Sequence, residues 1–127
     1  MNINETQRKI ISDMYRHRKD VQEVFSKCEN VRYFPPGEYK DLTVTNALFE
    51  HPSRITDVIV SGLCILIGGP KDTLKVDGKK THFETLIAID YPVCSFGGDC
   101  VIENLEHHSD IKVKIHDQAK VTNKRIV

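Results

Sequence analysis

Between Ile55 and Ile67 the chain carries Val58, Ile59, Val60, Leu63, Cys64, Ile65, Leu66 and Ile67, apolar at odd and even positions alike. A strand with one wet face alternates apolar and polar residues, so a run without alternation has to be covered on both faces. The segment therefore predicts a central strand that needs two neighbours and two covers. Gly62 inside it predicts a bulge or bend. Gly68-Gly69-Pro70 ends it.

The rest of the chain supplies candidate neighbours. Thr43, Val44 and Thr45 have strand character, and the stretch from Asn46 to Ser53, with Pro52, reads as a loop or edge. Leu74 and Val76 open another strand, and Asp77-Gly78 is the pair a tight type I′ hairpin favours. The return strand, 81–90, sets Phe83, Thr85, Ile87 and Ile89 against His82, Glu84, Leu86, Ala88 and Asp90. Leu86 and Ala88 make its second face partly apolar too, which places it beside 55–67. After Pro92, Gly97-Gly98 separates Val93 from 101–105. Ile111, Val113 and Ile115 then alternate with Lys112, Lys114 and His116, and the beat resumes at Ala119 and Val121.

Ahead of this β-rich region, residues 4–28 predict one long helix. Asn4 is its N-cap, and Ile10, Met14, Val21, Val24, Phe25 and Cys28 form an apolar stripe flanked by Arg8, Lys9, Arg16, His17 and Lys19. Such a helix spans about 37 Å at 1.5 Å per residue, longer than one sheet face of a small domain requires. Part of it is therefore expected either to cross the whole domain or to pack on a second copy. Pro35-Pro36-Gly37 separates it from the β-rich region. The expected fold class is α+β: a single domain over 1–127, with a helix in 1–30, a Pro/Gly connector in 31–40 and a mostly antiparallel sheet of about six to eight short strands in 41–127.

Ile102, Ile111 and Val121 recur at roughly ten-residue spacing. The phrase Ile111-Lys-Val-Lys-Ile-His-Asp-Gln-Ala-Lys-Val121 resembles the short β-solenoid rungs of uncharacterised bacteriophage and bacterial proteins, a resemblance that covers residues 102–121. It implies a stack of rungs at the C-terminus and a small accessory protein of the kind phages use against host defences. A meander and a short solenoid both fit these residues.

Lys plus Arg and Asp plus Glu each number 18, but they segregate: 8 basic and 6 acidic residues in 1–40, 5 and 10 in 41–109, 5 and 2 in 110–127. Basic ends around an acidic middle favour contact between copies or between the ends and the middle of one copy. No part is basic enough for a generic nucleic-acid binder. No apolar run reaches the length of a membrane span, and Cys28, Cys64, Cys94 and Cys100 follow no paired spacing, so a reducing cytoplasm with free thiols is expected.

The candidate sites are sparse. Gly68, Gly69 and Lys71 follow a buried strand as a phosphate loop does, but Asp72 to Val76 reads as a strand rather than the required helix. Arg54, Lys71, Lys75, Lys79 and Lys80, with His82, are the basic groups able to converge on a nucleotide-like anion, with Tyr33, Tyr39, Tyr91, Phe34 or Phe49 for stacking. His82 with Glu84, two apart on a strand, and His116 beside Asp117 are the acid/base pairs of an alternative catalytic reading. Cys94, Cys100, His107, His108 and His116 are ligand types for zinc without the usual tight spacing, and neither a metal nor another cofactor is expected. The leading expectation is a non-enzymatic binding protein, homo-oligomeric through its N-terminal helix, that sequesters a small anionic ligand or occupies a partner protein, as a phage-type counter-defence factor does. The alternative is a small hydrolase or nucleotide-cleaving enzyme using His82, Glu84 or His116.

Overall fold

The computed structural model describes residues 31–69, 71–89, 91–107 and 110–126. The helix expected over 4–28 and Cys28 lie outside them. The described residues form β1 (Arg32–Phe34), β2 (Gly37–Glu50), β3 (Pro52–Ile67), β4 (Thr73–Asp77), β5 (His82–Ile89), β6 (Val93–Phe96), β7 (Val101–His107), β8 (Lys112–Ile115) and β9 (Lys120–Ile126). Every pairing among them is parallel. The chain winds as a β-solenoid of about five turns. This overturns the α+β class and the antiparallel sheet, since the described residues contain no helix and no antiparallel pair.

The turn length shows why. Val93 pairs with Lys112 and Val101 with Lys120, an offset of 19 residues. The ten-residue beat read between Ile102 and Val121 is thus half a turn: Ile102 and Val121 are register partners on successive rungs, and Ile111 is buried at the corner between them. Asp77-Gly78 does not close a hairpin. β4 and β5 do not pair with each other but both lie beside β3, one along Arg54–Thr56 and the other along Ile59–Ile67. Likewise Asn46–Ser53 is no loop, because strand continues to Glu50 and resumes at Pro52 around one left-handed residue, His51 (φ 47°).

The first corner of each turn is made by a residue with positive φ: Asp41 (56°), Asp57 (54°), Gly78 (104°), Gly98 (62°) and Asp117 (55°). Register stacks the five in one column. Only glycine adopts this conformation freely, with Asp and Asn the next most tolerant, so the column reads Asp, Asp, Gly, Gly, Asp for a backbone reason. The second corner is a phase slip in the side-chain alternation. Inward residues are two apart along a strand, but Phe83 to Leu86 and Ile102 to Leu105 are three apart, and Val60 to Cys64 four, with Gly62 (φ 76°) in the expected bulge. Three flat faces per turn result.

The inward residues of all three faces, among them Ile55, Val76 and Phe96 from the first, Val60, Phe83 and Ile102 from the second, and Cys64, Leu86 and Leu105 from the third, form one continuous core. Phe34, Tyr39 and Phe49 fill its first rung, the two phenylalanine rings stacked 4.6 Å apart and the tyrosine edge-on to both. At the other end the inward column Cys64, Leu86, Leu105 finishes at Lys124. Lys124 is exposed on this last described rung, and a charged side chain on an edge strand discourages further strand addition. The apolar run of β3 is covered on both sides as its composition demands: Cys64 and Leu66 face the core, while Ile65 and Ile67 join a separate cluster on the outer side of the third face.

Candidate functional site

The first face carries outward side chains in columns fixed by register. One column runs Glu38, Arg54, Lys75, Ser95, Lys114; the next runs Lys40, Thr56, Asp77, Gly97, His116. On the fourth rung both columns drop to minimal side chains, Ser95 and Gly97. A flat β face thereby gains a notch, lined by Lys75 and Asp77 on one side of Ser95 and Gly97 and by His116 on the other, with Lys114 the register partner of Ser95 on the following rung. The notch is part of a groove of about 810 Å³ that reaches Arg54, Thr73 and Asp117.

Its charges are not equivalent. Arg54 Nη2 donates to Asp77 Oδ2 at 3.0 Å and Thr56 Oγ1 to Asp77 Oδ1 at 2.8 Å, so the one carboxylate in the wall is held by its own neighbours. Asp117 Oδ2 accepts the Gly98 backbone N–H at 3.2 Å at the corner. The Lys75 and Lys114 side chains are exposed on either side of Ser95, and His116 adds an imidazole. The Lys75 ammonium, the Ser95 hydroxyl and the His116 ring line the floor beside two carboxylates, Asp77 and Asp117, that are already hydrogen-bonded within the protein, and with the Lys114 ammonium on the adjoining rung they suit an oxyanion.

The residues expected to converge on a ligand are dispersed over three places. Arg54 and the alternative candidate His116 line this groove. Lys79 and Lys80 lie past the first corner, where their backbone N–H groups donate to Asp57 Oδ1 at 2.8 and 3.0 Å. Those bonds hold the Asp57 carboxyl below its ordinary range, the Lys80 N–H foremost. Gly68, Gly69 and Lys71 belong to the third corner. A Cβ on Gly68 would lie 2.5 Å from the ring of buried Tyr91, and the Gly69 N–H donates to Asp72 Oδ2 at 2.9 Å, an oxygen that also meets His51 Nδ1 at 2.6 Å.

His82 and Glu84 are both exposed on β5, yet they serve different partners. His82 Nε2 meets Glu103 Oε2 on the next rung at 3.0 Å, and Glu84 Oε2 accepts the Gly62 N–H at 2.8 Å. Cys94 and Cys100 are buried and free, as is Cys64. Burial pushes the Cys94 thiol up to about 12 and, with Asp77, the Cys100 thiol up to about 11. His108 lies outside the described residues, and among those described no three His, Cys, Asp or Glu side chains are grouped to hold a metal ion. Of the proposed stacking groups, Tyr91, Phe34 and Phe49 are core residues.

Reading by single strands misses Ser95, Gly97 and Lys114. The signal that finds them is the stacked repeat Val76-Asp-Gly, Phe96-Gly-Gly, Ile115-His-Asp, which sets Gly97 beneath Asp77 once the glycine and aspartate corners are superposed. No helix among the described residues is long and apolar enough to cross a membrane. Comparisons with protein-family models, with curated proteins and with solved structures return no match to this chain.

Proposed function

We propose that this chain is a non-enzymatic binding protein that holds a small oxyanion, such as a phosphate group of a nucleotide, in the notch between Lys75 and Lys114. The observation that carries the reading is the pairing of Ser95 with Gly97 on one rung between two rungs bearing long cationic side chains. A solenoid is a rigid scaffold, because each outward side chain is fixed by the rung on either side of it. Preorganised cations bind an anion without the cost of ordering a loop. Arg54 contributes by neutralising Asp77, which otherwise opposes the anion. The resemblance of residues 102–121 to phage and bacterial repeats supports, as analogy, a counter-defence role in which sequestering the ligand suffices.

An enzymatic role for His82 and Glu84 has less support, since each is engaged with a separate partner on open surface. Native mass spectrometry of the full chain purified from cells tests the binding reading. A retained small anion, absent from the Lys75→Ala, Lys114→Ala double variant, is the expected result. An anion retained equally by the double variant contradicts the notch, and product masses appearing after incubation with nucleotides contradict the non-enzymatic role.

A further inference from the structure

On the outer side of the third face, Leu48, Ile65 and Ile87 occupy one register column and Ile67 and Ile89 the next. These side chains point away from the core, yet Ile65 is 0% exposed, Leu48 3% and Ile87 5%. A strand's rung neighbours shield its backbone and the flanks of its side chains but not their outward ends. Tyr33 and Leu63 are the described hydrophobic side chains that pack against the cluster, and both sit on its margin on the same face. Something broader excludes water from this stripe.

We infer that the outer stripe of the third face is the docking surface for this chain's own N-terminal segment, residues 4–28. Three observations select that occupant. The remaining residues outside the described set are single positions or one adjacent pair, too short to cover three rungs, whereas thirty residues precede Val31. Val31 is itself in the cluster at 2% exposure, and β1 directly after it pairs with the third-face part of β2 at Ala47–Phe49, so the preceding chain arrives at the top of the stripe. The segment also brings matching chemistry, with Ile10, Met14, Val21, Val24 and Phe25 recurring at amphipathic spacing. Below Ile87 the column changes to Glu106 and Arg125, whose Nε and Oε1 lie 3.7 Å apart, and the apolar stripe ends there. An intramolecular cover uses the apolar face that self-association through the N-terminal segment would need.

Site-specific photo-crosslinking in the full chain tests this. A diazirine analogue of leucine is placed at Leu48 or at Ile87, with the inward-facing Leu86 as control, and unlabelled and ¹⁵N-labelled copies are refolded together before irradiation. Adducts from positions 48 and 87 to residues 4–28 of the same copy are expected, and none to that segment from position 86. Adducts joining light to heavy copies assign the cover to a second molecule and overturn the inference. Adducts confined to residues 31–126 overturn it as well.

Discussion

Gly78 stands directly over Asp57 in the column of left-handed corners: a Cβ on Gly78 would lie 2.6 Å from Asp57 Oδ1 and 2.7 Å from the Asp57 backbone nitrogen. The contact is tight because Asp57 turns its carboxylate across the corner to take the N–H groups of Lys79 and Lys80. Gly78→Ala therefore combines a strained φ of 104° with a backbone clash. It should lower stability by about 1–3 kcal/mol, read as a lower denaturant midpoint. Unchanged stability would mean that the rungs are not in this register.

The same corner sets an acid limit. Asp57 titrates below its ordinary 3.8 because backbone N–H groups bond its charged form, and Asp72 does so chiefly through His51. A carboxyl whose folded value is depressed stabilises the fold above the unfolded value and loses that contribution as pH falls through the folded one. Stability should hold from neutrality to about pH 5 and decline below 3.8. Asp57→Asn, which keeps an acceptor oxygen, should flatten the decline, as chemical denaturation at a series of pH values will show.

Cys64, Cys94 and Cys100 are interior and burial raises all three thiols. Thiolate is the reactive form, so in the native protein at pH 8 no more than one of the four cysteines should react with an aromatic disulfide reagent. All four should react in denaturant. Rapid modification of two or more without denaturant would contradict the inward placement.

Lys124 closes the inward column that contains Leu86 and Leu105. Lys124→Leu extends the apolar core to the open edge of the last rung, next to Ile126, already half exposed. Light scattering should show concentration-dependent particles for the variant at concentrations where the unaltered chain is monodisperse.

Much of this fold lay in particular residues. The apolar run at 55–67 fixed a strand covered on both faces, Gly62 its bulge and Gly68-Gly69 its end. The alternation of Ile111, Val113 and Ile115 fixed a strand on the last rung, where it is β8. Pairing direction was not legible from these, because a parallel rung and an antiparallel hairpin demand the same alternation, and Asp77-Gly78 suits a left-handed corner as well as a type I′ turn. The notch was hidden for a related reason. Ser95 within β6 and Gly97 just after it, legible only as part of a Gly-Gly break, acquire meaning as a site only beneath Lys75 and Asp77, which requires the 19- to 20-residue offset between rungs.

Calorimetric titration of inorganic pyrophosphate into the full chain, comparing Lys75→Ala and Lys114→Ala with Lys79→Ala and Lys80→Ala, tests the notch most directly. Each substitution of the first pair removes one positive charge in the notch (Lys75) or on the rung beside it (Lys114), so affinity should fall about tenfold in each, equivalent to about 1.4 kcal/mol. The second pair lies beyond the corner and should leave affinity within about twofold. Equal losses in both pairs, or no heat of binding to the unaltered chain, would contradict the account.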